Sequence, residues 1–169
     1  LISGVANVLQ SPGRFATALS DILRGQRDCA TQLLQILDSE RVALDDGDLA
    51  GMDTAAADKT AALASMEQLK SREDQLLAET PFRGSESPVE QALAWCDESG
   101  ALRAAREDVA ELMVECDRSN RRNGLLVQQR LNYVRRAIDI LHAAHAETMV
   151  YGPDGITRNG GSSRLLAEG

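Results

Sequence analysis

The chain has 169 residues, long enough for one domain, with 26 acidic against 18 basic side chains and a formal net charge of −8. Only five residues are aromatic, and the rest is rich in Ala, Leu, Arg, Glu, Asp and Gln, a helix-forming set that excludes the usual α/β or β core. The acidic balance argues against a general nucleic-acid binder, and no run of about 18 apolar residues exists to cross a membrane.

The opening segment carries a short amphipathic stripe, Leu1, Ile2, Val5, Val8 and Leu9. It reads either as a frayed terminus or as a helix that can occupy an apolar groove on its own molecule or a neighbour. It lacks a basic n-region and a clean cleavage site, so no signal peptide is expected. Ser11-Pro12 then opens the first long helix, with Ser at the cap and Pro at the first helical position. Its apolar face steps through Phe15, Leu19, Ile22, Leu23, Cys29, Ala30, Leu33, Ile36, Leu37 and Leu44, the spacing of one helical face. Asp45-Asp46-Gly47-Asp48 ends it, Gly47 supplying a left-handed turn and Asp48 a cap for the next helix. So short a connection predicts an antiparallel hairpin.

The second helix repeats the pattern with Leu49, Met52, Ala56, Leu63, Met66, Leu69, Leu76 and Leu77. Ala55, Ala62, Leu69 and Leu76 fall seven apart, the seam spacing of coiled-coil packing. Thr80 to Pro88 reads as a linker, and Ser87-Pro88-Val89-Glu90 as a capping box. A third helical region comes after it, with a break expected at Ser99-Gly100. From Ala101 to about Thr148 it could run roughly 70 Å. Its stripe is Leu102, Ala105, Val109, Leu112, Cys116, Asn120, Asn123, Leu126, Val127, Leu131, Val134, Ile138, Leu141 and His145. The middle of that stripe is polar, and unpaired buried amides cost roughly 1–3 kcal/mol each. The helix is therefore expected either to leave the core there or to pair those amides.

The fold class is all-α: an elongated antiparallel three-helix bundle, a coiled-coil-like hairpin with a long third helix and a C-terminal tail. One helical domain is expected over 1–148, with helices about 12–45, 48–78 and 88–148, and a flexible tail over 149–169. The distal part of the third helix would then hold apolar residues with too few partners.

Charge is lopsided. Residues 1–117 hold 10 basic and 22 acidic side chains, and residues 118–169 hold 8 and 4. Arg118, Arg121, Arg122, Arg130, Arg135 and Arg136 form a run with no acid between Arg118 and Ile138. A solvated helix surface that pairs with the acidic hairpin is the favoured reading over a phosphate-binding face, since stacking aromatics are nearly absent. Orientation of an acidic partner is a third. Cys29, Cys96 and Cys116 are odd in number and lack a C-x-x-C spacing, which suggests neither a disulfide framework nor a zinc site and fits a reduced, cytoplasmic setting. Asp139, His142 and His145 lie at helical steps, but a bundle metal site needs ligands from several helices. There is no Gly-rich phosphate loop and no nucleophile arrangement. Neither an enzyme nor a cofactor is expected.

Two further signals stand close together. Asn120-Arg121-Arg122-Asn123-Gly124-Leu125-Leu126 places a glycine where the apolar spacing runs on, at a cost of about 0.8–1 kcal/mol relative to Ala. One long helical run later, Tyr151-Gly152-Pro153-Asp154-Gly155 stops the helix. This ordered pair, N-x-x-N-G-L-L then Y-G-x-x-G, resembles the FlgN family of flagellar export chaperones. The likeness covers Asn120 to Gly155 and continues weakly into Gly160-Gly161 and Leu165. An upstream stretch ending at Leu63 is similar to the family's second helix.

The resemblance implies a cytosolic chaperone that binds the C-terminal helical segment of the hook-associated (hook–filament junction) proteins FlgK and FlgL. It implies delivery of that cargo to the cytosolic domain of the export gate FlhA. On this reading Asn120, Asn123, Gly124, Leu126, Val127, Leu131, Val134, Ile138 and Leu141 bind substrate, and Tyr151 docks on the gate. Two other readings stay open: that the stripe packs only against the chain's own hairpin, or that it self-associates as a coiled-coil scaffold without export role.

Overall fold

The computed structural model describes residues 11–150, with side chains described through residue 143. They form four helices: α1 (Pro12–Asp46), α2 (Leu49–Ala78), α3 (Pro88–Cys96) and α4 (Ala101–Val150). No strand occurs among the described residues, in keeping with the all-α expectation. The opening stripe from Leu1 to Leu9, His145, Tyr151 and everything after it lie outside the residues so described. By packing, the chain divides into two units, Leu1–Leu126 and Val127–Gly169.

Local chemistry sets the helix ends. Gly47 closes α1 with φ 72°, a left-handed conformation that costs a residue without Cβ little. The Asp48 N–H then reaches back to the Ala43 carbonyl at 2.9 Å, satisfying one of the free carbonyls of the last turn. The break expected before α4 is present, with Gly100 at φ 74°. Asp97 Oδ2 accepts the Arg103 N–H at 2.9 Å, and the Ser99 hydroxyl accepts the Ala101 N–H at 3.3 Å. Burial pushes the Asp97 carboxyl up, but the N–H groups of Arg103, Leu102 and Ala101 and the Ser99 hydroxyl outweigh it and hold the group below the usual carboxylate range.

Within the first unit the apolar stripe of α1 is buried along its whole length, and Gln26 and Ala43 join it. The stripe expected on α2 is partly corrected. Leu49, Ala56 and Leu63 are exposed, whereas Ala55, Ala62 and Leu76 are buried and Leu69 half-buried. The reason is distance: α1 and α2 approach closely, so the seam takes small side chains and the longer ones splay to its edges. The Cys29 thiol donates to the Ala62 carbonyl at 3.1 Å across that seam. The first part of α4 buries Leu102, Val109, Cys116 and Asn123, again seven apart. The Cys116 thiol donates to the Ala30 carbonyl and the Asn123 amide to that of Leu37, so this part of α4 runs parallel to α1 and antiparallel to α2.

The connection from Thr80 to Pro88 is more than a linker. Phe82 packs edge-on against Trp95 at 5.8 Å, and Trp95 in turn lies 6.0 Å from Phe15. These rings, with Leu19, Leu23, Leu77, Leu93 and Leu102, close one end of the hairpin. The expected capping box does not form: the Ser87 side chain makes no cap bond, and Glu90 instead accepts the Arg103 guanidinium at 2.7 Å.

Candidate partner-binding surface

Two polar layers interrupt the apolar seams of the first unit; the one at Glu73 was not legible in the periodicity, and the one at Asn123 is the polar middle already marked on the α4 stripe. In one, Glu73 is 3% exposed, accepts the Gln26 side-chain amide at 2.9 Å and pairs with Arg106. In the other, Asn123 is also 3% exposed and donates to the Leu37 carbonyl at 2.8 Å and to Glu40 Oε2 at 2.9 Å. Lys59 reaches Glu40 Oε1 at 2.7 Å and Asn120 Oδ1 at 3.4 Å from the other side. The polar middle of the α4 stripe is therefore a paired layer. Three helices supply its donors and acceptors, which offsets the desolvation that an orphaned amide would suffer.

The nine residues expected to bind substrate consequently fall into two groups. Asn120 and Asn123 are engaged with α1 and α2 of the same chain, Asn123 fully buried. Leu126 is half-buried. Gly124 sits on the exposed side of an unbroken helix, with no atom within 4 Å of where a Cβ would stand. Close packing within the chain thus does not account for that glycine.

The remaining five stand together in the second unit. Val127, Leu131, Val134, Ile138 and Leu141 alternate four- and three-residue steps, so they share one face of α4, and each is 41–67% exposed. Alternating steps of that kind make the seam of a two-stranded coiled coil. Here the seam is a row of large apolar side chains open to solvent, which soluble surfaces avoid unless something covers it. Tyr133 and Ile140 are exposed beside the row, at 76% and 68%. Both fall outside the stripe that the sequence marks out, although their seven-residue spacing was a signal for them. Arg130, Arg135 and Arg136 lie on the same stretch, all exposed, with Asp139 its one acid through residue 143.

A second feature was invisible in the sequence. Along the first unit, two open clefts share Met113: one of about 360 Å³ bordered by Leu37, Lys59, Leu63 and Cys116, another of about 260 Å³ bordered by Met66, Arg106 and Val109. They follow the side where α2 and α4 stand apart.

None of these surfaces assembles a catalytic set. The cysteines are free; Cys29 and Cys116 are buried, and burial pushes both thiols up, away from the reactive thiolate. No group of three or more potential metal ligands occurs among the described residues. No helix is long and apolar enough to cross a membrane, among the same residues.

Among known protein families, a model described as FlgN protein matches residues 15–159. No curated protein and no solved structure matches the chain.

Proposed function

Because the chain belongs to the FlgN family of flagellar chaperones, we propose that it holds the C-terminal helical segment of the hook–filament junction proteins, FlgK and FlgL, before their export. The observation that supports this reading is the uncovered row Val127, Leu131, Val134, Ile138 and Leu141. A row of apolar anchors at helical spacing is what recognition of an amphipathic helix requires. Covering it in the complex would shield both partners from aggregation. The paired amide layer at Asn123 anchors the helix just ahead of the row. Asn120 and Asn123 thus act by holding that turn of the helix, while the side chains from Val127 onward meet the cargo. Gly124, exposed and bare, leaves room for a partner backbone to come close.

Delivery is the second half of the proposal: Tyr151 docks on the cytosolic domain of the export gate FlhA while cargo is still bound. Tyr151 stands in a Gly/Pro-rich sequence, a context suited to a short linear motif. Leu131→Asp tests the first half. It abolishes co-purification of the cargo segment while leaving helicity by circular dichroism intact; cargo that still co-purifies places the binding surface elsewhere. Tyr151→Ala tests the second, since it spares cargo binding and weakens gate binding. An unchanged gate affinity refutes that role.

A further inference from the structure

Four arginines of the α4 run find no partner on the acidic hairpin of their own chain. Arg121 bonds Asp117 of its own helix at 2.8 Å, and Arg122 donates to the Ser119 hydroxyl at 3.1 Å. Arg118 and Arg136 make no ion pair among the described residues. At about 100° per residue, Arg118, Arg122, Leu125, Tyr133, Arg136 and Ile140 fall within an arc of roughly 80° along α4. This arc lies opposite the side that buries Val109, Cys116 and Asn123, and all six residues are exposed. Leu125, Tyr133 and Ile140 show 67–76% of their surface. Between Arg118 and Ile140 no acid shares the arc.

A complementary surface stands open on the hairpin. α1 and α2 border a groove of about 620 Å³ that is lined by Asp38, Asp46, Asp48 and Asp58 and by no base. Asp38 is shared with Arg41, but the other three make no ion pair among the described residues. Ala43, Gly51 and Ala55 also line the groove, small enough for a helix to approach closely, and Val42 borders it exposed. The spacings agree as well. At 1.5 Å per residue, Asp46 and Asp48 stand at the hairpin tip and Asp38 and Asp58 about 12–15 Å below it. Arg122 and Arg136 are about 21 Å apart along α4, an excess of about 3–5 Å at each end that an arginine side chain spans. Leu125 and Tyr133 fall between the two charged levels, where Val42 lies. Exposed ion pairs contribute little by themselves. Burial of the apolar side chains supplies the gain, and the charges select the partner and set the register.

We propose that two copies of this chain associate through these surfaces, the outer face of α4 in one copy lying in the α1–α2 groove of the other. Exchange in both directions closes the assembly as a dimer. A polyanion is a poorer occupant for the arginine face, because the chain that carries it has a net charge of −8. The centre of the arc lies roughly 160° around α4 from the centre of the row between Val127 and Leu141. Dimerisation therefore leaves that row open, and the proposal does not depend on the chaperone reading.

Sedimentation velocity of the full chain over a concentration series tests this. The parent chain forms a dimer that weakens as salt rises. One double variant, Asp46→Lys with Asp58→Lys, and another, Arg122→Glu with Arg136→Glu, each weaken self-association at least about tenfold, because like charges then meet. Mixing the two double variants restores a one-to-one dimer, since both of its contacts are complementary again. Tyr133→Ser weakens the parent dimer about tenfold, the effect of losing one well-covered apolar side chain, and Leu131→Ser on the row leaves it unchanged. All these positions are exposed, and circular dichroism verifies that the helices persist. A chain that stays monomeric up to about 1 mM overturns the proposal. So does a dimer indifferent to both charge reversals, a mixture that stays monomeric, or a dimer weakened as much by Leu131→Ser as by Tyr133→Ser. Capture of the arginine face by phosphatidylserine vesicles or RNA in place of a second copy overturns it too. The junction-protein segment, added to the same samples, keeps the two readings apart. A monomer that binds the segment refutes only the dimer, and a dimer that fails to bind it refutes only the chaperone role.

Discussion

Truncating the exposed row one residue at a time gives a quantitative test of where cargo sits. Leu131 is 48% exposed and Leu141 67% exposed. Full burial of a leucine contributes about 1.5–3 kcal/mol, so covering those fractions is worth about 0.7–1.5 kcal/mol at Leu131 and about 1–2 kcal/mol at Leu141. Leu131→Ala should therefore weaken cargo binding about 3- to 12-fold and Leu141→Ala about 5- to 30-fold. The ordering follows from exposure alone. Neither change should move folding stability by more than about 0.5 kcal/mol, because the lost surface packs on little and alanine is the better helix former. Anisotropy with a labelled C-terminal segment of the junction protein gives the affinities, and urea unfolding followed at 222 nm gives the stabilities. Two results refute the reasoning: a stability loss above about 2 kcal/mol, which would make the row a core element, or unchanged affinity at both positions. Across all five row residues the same arithmetic gives roughly 4–8 kcal/mol of gross gain. Association itself costs about 4–15 kcal/mol, so this row alone supports only weak binding.

The polar layer at Glu73 gives an asymmetric prediction: Arg106→Met leaves a carboxylate that is 3% exposed with only the Gln26 amide and Lys70, 3.9 Å away, for company. That should cost about 2–4 kcal/mol in urea unfolding, less than a fully enclosed pair because Arg106 is itself partly exposed. Replacing all three polar groups together (Gln26→Leu, Glu73→Met, Arg106→Met) should restore stability to the parent value or above; a triple variant as weak as the single one would show that the layer contributes net stability. At the start of α4, the Asp97 carboxyl is held below its unfolded value, so its contribution is complete above about pH 4 and fades as pH falls through the lower folded value. Asp97→Asn should lower the midpoint of thermal unfolding at pH 7, and its difference from the parent should shrink as pH falls through the lowered folded value; a difference that persists undiminished through acid pH would mean the cap does not depend on the charge.

Much of the fold follows from local rules that the chain carries in its own order. The face of α1 is a continuous apolar stripe, and every residue expected to face inward does so. Gly47, Gly84 and Gly100 stand in the three breaks between helices, because only a residue without Cβ enters the left-handed region freely. The exposed row from Val127 to Leu141 was likewise readable, since its spacing places it on one face whatever the surroundings. What could not be read is anything that depends on a partner distant in sequence. Whether Asn123 is an orphan or an anchor is decided by Glu40 and the Leu37 carbonyl, which stand 83 and 86 positions earlier. Glu73, polar by type, is buried because Gln26 and Arg106 reach it from two other helices. The side of α2 that faces α1 follows the distance between the two backbones, which favours alanines over the longer Leu63 and Leu49. By itself, then, the sequence determined which segments are helices, where they stop and which apolar rows they carry, because those depend on neighbours within a few residues. The tertiary structure alone decided which rows are covered and which polar groups are paired, because burial and pairing belong to elements that meet only after folding.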